Sequence, residues 1–163
     1  MKTPHLLRVE QGAAEYAPLF EAARSLDLRI GWLELGGSVP GAVPPGLEAA
    51  AGEGALRAVA VGGGRVAVVK PMKGAPVLRD LLREHFRGCA LVLLFGGGAA
   101  DLPSLSRDGE TYRVASGAVV RTFNAAHLAA ALRRPRPFAP ENTESVENPE
   151  TAATGEAAPE GMP

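Results

Sequence analysis

Apolar and polar positions along this chain fall into runs whose periods mark out most of its elements. His5 to Val9 reads as a short opening strand. Across residues 13–26, Ala14, Ala17, Leu19, Phe20 and Ala23 recur at helical spacing, with Glu15, Glu21 and Arg24 on other faces. That pattern predicts an amphipathic helix, with Pro18 in its first turn, where a missing N–H costs nothing. Residues 28–35 read as a strand, Leu28, Ile30 and Trp32 alternating with Arg29 and Gly31. Gly36 and Gly37 end it, residues 38–46 hold three prolines and read as a loop, and residues 47–51 suggest a short helix before Gly52.

The middle of the chain is more regular. Residues 56–61 and 65–70 are β-rich runs on either side of Gly62-Gly63-Gly64, and glycines supply the positive φ that a tight hairpin turn requires. Pro71 stops the second run. Gly74-Ala75-Pro76 then leads into a helix through Phe86, with Val77, Leu78, Leu81, Leu82 and Phe86 inward and Arg79, Asp80, Arg83, Glu84 and Arg87 outward. Gly88 closes it. Residues 90–95 are continuously apolar, as expected of a central strand covered on both faces. Residues 110–115 and 118–123 form a second hairpin around Ser116-Gly117, and Asn124 is placed to cap a final helix over residues 125–133. The expected architecture is α/β (α+β): one small domain with a mixed sheet containing two hairpins, flanked by about three helices.

Charge changes the picture at the C-terminal end. All 17 lysines and arginines precede residue 139, whereas six of the 18 acidic side chains follow it, so a body near +5 is joined to a segment near −6. We therefore expect a folded α/β domain over 1–138 and a disordered acidic tail over 139–163, rich in Glu, Pro, Thr, Ala and Gly. Such a tail suits a solubilising bristle, a partner-binding segment or an electrostatic competitor folded back on the positive body. A single cysteine, Cys89, excludes an internal disulfide and reads as a small buried thiol. With no signal-like apolar stretch at the start and no run approaching roughly 18 apolar residues, a cytoplasmic protein without membrane contact is expected.

Candidate chemistry is sparse. Gly62-Gly63-Gly64 lies between strands, not before a helix, so it is a turn and not a phosphate loop. Gly96-Gly97-Gly98-Ala99-Ala100-Asp101 follows a strand, but Asp101 replaces the last glycine of a dinucleotide fingerprint. Ser104 and Ser106, placed in a loop, have no histidine nearby in sequence, and His5, His85 and His127 lack metal-ligand spacing. Glu84 adjoins His85 but points about 100° away on a helix. No catalytic residue, metal ligand or cofactor is expected. Lys70 and Lys73, with Arg65 and Arg79, form a candidate anion-binding patch, and Arg133-Arg134-Pro135-Arg136 suits the end of the last helix.

The helix, three strands, helix and strand over about residues 13–95 follow the αβββαβ order of the PD-(D/E)XK nuclease-like core. The resemblance rests mostly on Val66-Ala67-Val68-Val69-Lys70. In that family the strand ends in an acidic residue, a variable residue and a lysine. Lys70 matches, but Val68 stands at the acidic position, and Arg57-Ala58-Val59-Ala60-Val61 offers no carboxylate for magnesium. Any such site is degenerate. Two readings follow. The first is a non-catalytic α/β interaction module, an accessory subunit or binding protein of a larger assembly with a protein partner. The second is an anion- or nucleic-acid-binding protein, or an enzyme, using Lys70 and Lys73. Carboxylates reaching Lys70 would favour the second, with Glu15, Glu21 and Glu34 as the upstream candidates. Oligomeric state stays open.

Overall fold

The structure is a computed structural model that describes residues 3–36, 43–96 and 100–138. Among these, eight strands and four α-helices follow the chain: β1 His5–Val9, α1 Ala17–Ser25, β2 Ile30–Leu35, α2 Pro45–Gly52, β3 Ala58–Gly62, β4 Arg65–Val69, α3 Leu78–His85, β5 Leu91–Gly96, β6 Ser104–Asp108, β7 Thr111–Ser116, β8 Val119–Phe123 and α4 Ala125–Ala131. Six strands form a mixed sheet in the order β2-β5-β1-β6-β7-β8, while β3 and β4 pair only with each other. The α/β class and the mixed sheet with two hairpins are as expected. Those two hairpins are β6–β7 and β7–β8, however, and the glycine-turned hairpin stands apart. The expected acidic tail, residues 139–163, lies outside the described residues.

The sheet has two halves with different physics. β2, β5, β1 and β6 run parallel, and Leu91 to Leu94 of β5 are all fully buried. Odd positions of β5 face α1 and α4, where Leu19, Ala23, Leu128 and Leu132 close over Leu7, Val9, Leu91 and Leu93. Even positions face α3, whose Leu78, Leu82 and Phe86 cover Val92, Leu94 and Leu33. A strand buried on both faces needs no alternation, so it reads as a continuous apolar run. The antiparallel half is single-faced. On β7, Tyr112 and Val114 are buried while Arg113 between them is exposed.

Several local expectations hold for identifiable reasons. Pro18 sits in the first turn of α1, after a 3₁₀ turn at Ala13–Tyr16. The Asn124 side chain accepts the His127 N–H at 2.8 Å and caps α4. Gly31 has no side chain because the Phe86 ring lies where its Cβ would be.

Other expectations need correction. The segment holding Ser104 and Ser106 is not a loop but β6, paired with β1 and β7. Gln11 extends that pairing past the end of β1: its Oε1 accepts the Arg107 N–H at 2.7 Å and its Nε2 donates to the Arg107 carbonyl at 3.0 Å. Beneath it the buried Tyr16 hydroxyl donates to the Leu105 carbonyl at 3.1 Å, and burial pushes this phenol up to about 12. Val77 was expected inward but is 56% exposed, because α3 begins only at Leu78. The proline-rich loop is shorter than expected, since Pro45 starts α2; residues 37–42 lie outside the description. No helix of the described residues is long and apolar enough to cross a membrane.

Candidate functional site

The β3–β4 hairpin is built by strict alternation. Gly63 and Gly64, with φ of 55° and 72°, make its turn, the positive pair that two-residue hairpin loops demand. Register then sets Val59 opposite Val68 and Val61 opposite Val66, so all four valines share one face. The alternate positions, Ala58, Ala60, Ala67 and Val69, form the other face, and α2 packs against both strands with Leu47 and Ala58 buried. On the valine face nothing among the described residues closes over the surface. Val59, Val61, Val66 and Val68 are 51%, 78%, 64% and 49% exposed.

At the base of that face the hairpin meets α3. Glu84 accepts from Arg57 Nη2 at 2.7 Å and from Lys70 Nζ at 2.9 Å, so one carboxylate clamps both strands to the helix. The Lys70 hydrogen bond, aided by the charges of Lys70, His85 and Arg57, holds the Glu84 carboxyl below its usual range against partial desolvation. His85 Nε2 lies 4.0 Å from Glu84, so these neighbours do not point apart as helical spacing suggested. A cleft of about 350 Å³ opens beside this clamp, with Val68, Met72, Lys73 and Asp80 in its wall.

The candidate anion residues are only partly brought together. Lys70 and Lys73 share the cleft. Arg65 stands beside the turn at the far end of β4, roughly 17 Å along the strand from Lys70. Arg79 lines a different cleft on the other flank of α3. Glu84 already occupies Lys70 and Arg57, so an incoming anion must displace its carboxylate. The three upstream carboxylates considered for this place lie elsewhere: Glu15 approaches Arg107, Glu21 pairs with Arg24, and Glu34 accepts from Trp32 Nε1. Sequence reasoning missed Glu84 as the partner of Lys70. The signal was its place on the polar face of a helix that follows the hairpin.

Other chemistry is equally limited. Among the described residues no three His, Cys, Asp or Glu side chains group to hold a metal ion. Burial pushes the Cys89 thiol up despite nearby Arg29, which disfavours the nucleophilic thiolate at neutral pH. Within the described residues, α2 interrupts the αβββαβ order expected of the nuclease-like core, and β3 and β4 do not join β2 in one sheet. Arg133 does not serve its own helix. Its Nη2 donates to the Leu26 carbonyl at the end of α1.

No protein-family model matches this chain, and no curated protein matches it.

Proposed function

We propose that this chain is a non-catalytic α/β interaction module that binds a protein partner through the outer face of the β3–β4 hairpin. The observation that carries the reading is the valine face. Four aligned valines, from about half to more than three-quarters exposed, adjoin exposed Met72 and Val77, and together they present roughly several hundred Å² of apolar surface, the size class that marks interaction sites. A two-stranded hairpin is at best marginal by itself. This one is held from one side by α2 and at its base by Glu84, which fixes a rigid apolar platform facing outward. The carboxylates lining the cleft beside Lys70 are Glu84, already engaged in the clamp, and Asp80, and among the described residues no three metal-ligating side chains group together.

The test is native mass spectrometry of the tagged full chain captured from its source cells, beside a Val61→Lys, Val66→Lys double variant. The wild-type chain is expected to carry a protein at fixed stoichiometry and the variant to lose it, with unchanged circular dichroism and melting. A wild-type chain that carries no protein, or a variant that retains it, overturns the reading.

A further inference from the structure

The two flanks of α3 differ in charge. Asp80 and Glu84 point towards the hairpin cleft. Arg79 and Arg83, one turn apart on α3, and Arg87, just past its C-terminal end, lie on the opposite flank. There they line a cleft of about 310 Å³ with Leu82, Phe86, Thr3 and Pro4. Arg79 approaches Asp80 at 3.9 Å, an exposed and weak pairing. Arg87 uses its Nε on the Arg83 carbonyl. Among the described residues no carboxylate lies within ion-pair distance of Arg83 or Arg87. The basic surface continues around Thr3 and Gly88 into an adjoining cleft with Arg29 and Arg133, whose one carboxylate is Asp27.

The described chain ends against β1, and the residues just before β1 line this cleft. Phe138 packs edge-on against His5, with ring centroids 6.0 Å apart, and Arg121 Nη1 holds the Pro137 carbonyl at 3.0 Å. His5 follows directly on Thr3 and Pro4, which line the arginine cleft. Glu141 stands three residues beyond Phe138, within about 10 Å of extended chain. It is the first of six glutamates, at 141, 144, 147, 150, 156 and 160, in a stretch without a single lysine or arginine.

We infer that the arginine flank of α3 is the binding surface for the chain's own acidic segment, residues 141–160. Charge complementarity supplies the attraction. Attachment at Phe138 supplies a high local concentration, so several weak, exposed ion pairs suffice where a free peptide would dissociate. Arginine suits the task because its planar fork pairs with carboxylates in a fixed geometry. The segment thereby screens this basic surface from outside polyanions. The inference is independent of the hairpin reading, since the valine face and this flank lie on different sides of α3.

The test compares the full chain with a full-length variant carrying glutamine at all six glutamate positions. The guanidinium Nε–Hε resonances of Arg79, Arg83 and Arg87 are expected to shift between the two proteins, while those of Arg65 and Arg113 stay put. High salt should erase the difference. The glutamine variant should also bind heparin about tenfold more tightly at low salt, and Arg83→Gln with Arg87→Gln in that background should remove the gain. Equal shifts at all exposed arginines, or none at these three, overturn the inference. Shifts that grow with protein concentration do so too, because they assign the segment to a second copy. Heparin affinity unaffected by the two arginine substitutions would assign polyanion binding to another surface and count against it.

Discussion

The two most apolar strand regions of this molecule, β5 and the β3–β4 hairpin, meet opposite fates. In β5, Leu91 to Leu94 are wholly enclosed, with β1 and β2 on either side and helices over both faces. In the hairpin, the four valines have each other, but one face is left open. The valine runs of the hairpin favour a pleated backbone by preference, whereas leucine-rich β5 is a strand because it is enclosed on both faces and both edges. Neighbours decide what is buried. The core therefore ends at α3, and the hairpin is apolar surface that the fold itself does not use.

Two substitutions test that contrast directly, a large expected effect against a small one. Leu93→Ala should cost about 2–5 kcal/mol in urea denaturation, because it opens a cavity at the centre of the sheet. Val61→Ala in the hairpin should stay within about 0.5 kcal/mol, as for other surface positions. Equal losses at the two sites would erase the distinction between core and platform.

Gly31→Ala tests the packing between β2 and α3. The new methyl meets the Phe86 ring, and overpacking of this kind costs about 1–3 kcal/mol. A Phe86→Leu partner substitution should return part of it, which a double-mutant cycle would measure as coupling. Additive losses would mean that the ring is not what excludes a side chain there.

A local, pH-dependent effect belongs to the Glu84 clamp. Its carboxyl is held below the usual range in the folded state, so its stabilisation is complete above the ordinary carboxylate pKa. It is lost as pH falls through the lowered folded value. Amide protection in β3 and β4 should decline in that acid window while protection in β5 persists. Glu84→Gln should lower hairpin protection at neutral pH and remove the acid step. Loss of protection in β5 at the same pH would show that hairpin and core unfold as one unit.

Most of the elements were legible because their signals are local. Gly63-Gly64 between valine runs, Asn124 before an alanine-rich helix and Pro18 in a first turn each act within a few residues. β6 was not legible. Ser104-Leu105-Ser106-Arg107-Asp108 carries one buried apolar side chain, and it becomes a strand because β1, β7 and Gln11 supply its hydrogen-bond partners. The site fared similarly. Lys70 and Lys73 do share a cleft, but the carboxylate that neutralises Lys70 comes from α3, 14 residues away. Arg65 and Arg79, close to Lys70 in sequence, face other surroundings because a strand's length and a helix's opposite flank separate them.

By itself, then, the sequence determined most strands, the helices, the hairpin turns and the segregated charge, since each depends on backbone preference, periodicity or composition over short distances. Only the tertiary structure decided that the glycine-turned hairpin leaves the main sheet and that its valines face outward. It alone placed Glu84 against Lys70 and Arg57, and the end of the described chain against His5. Those outcomes depend on which surfaces meet across long stretches of chain. No periodicity within one segment encodes the partner on the other side.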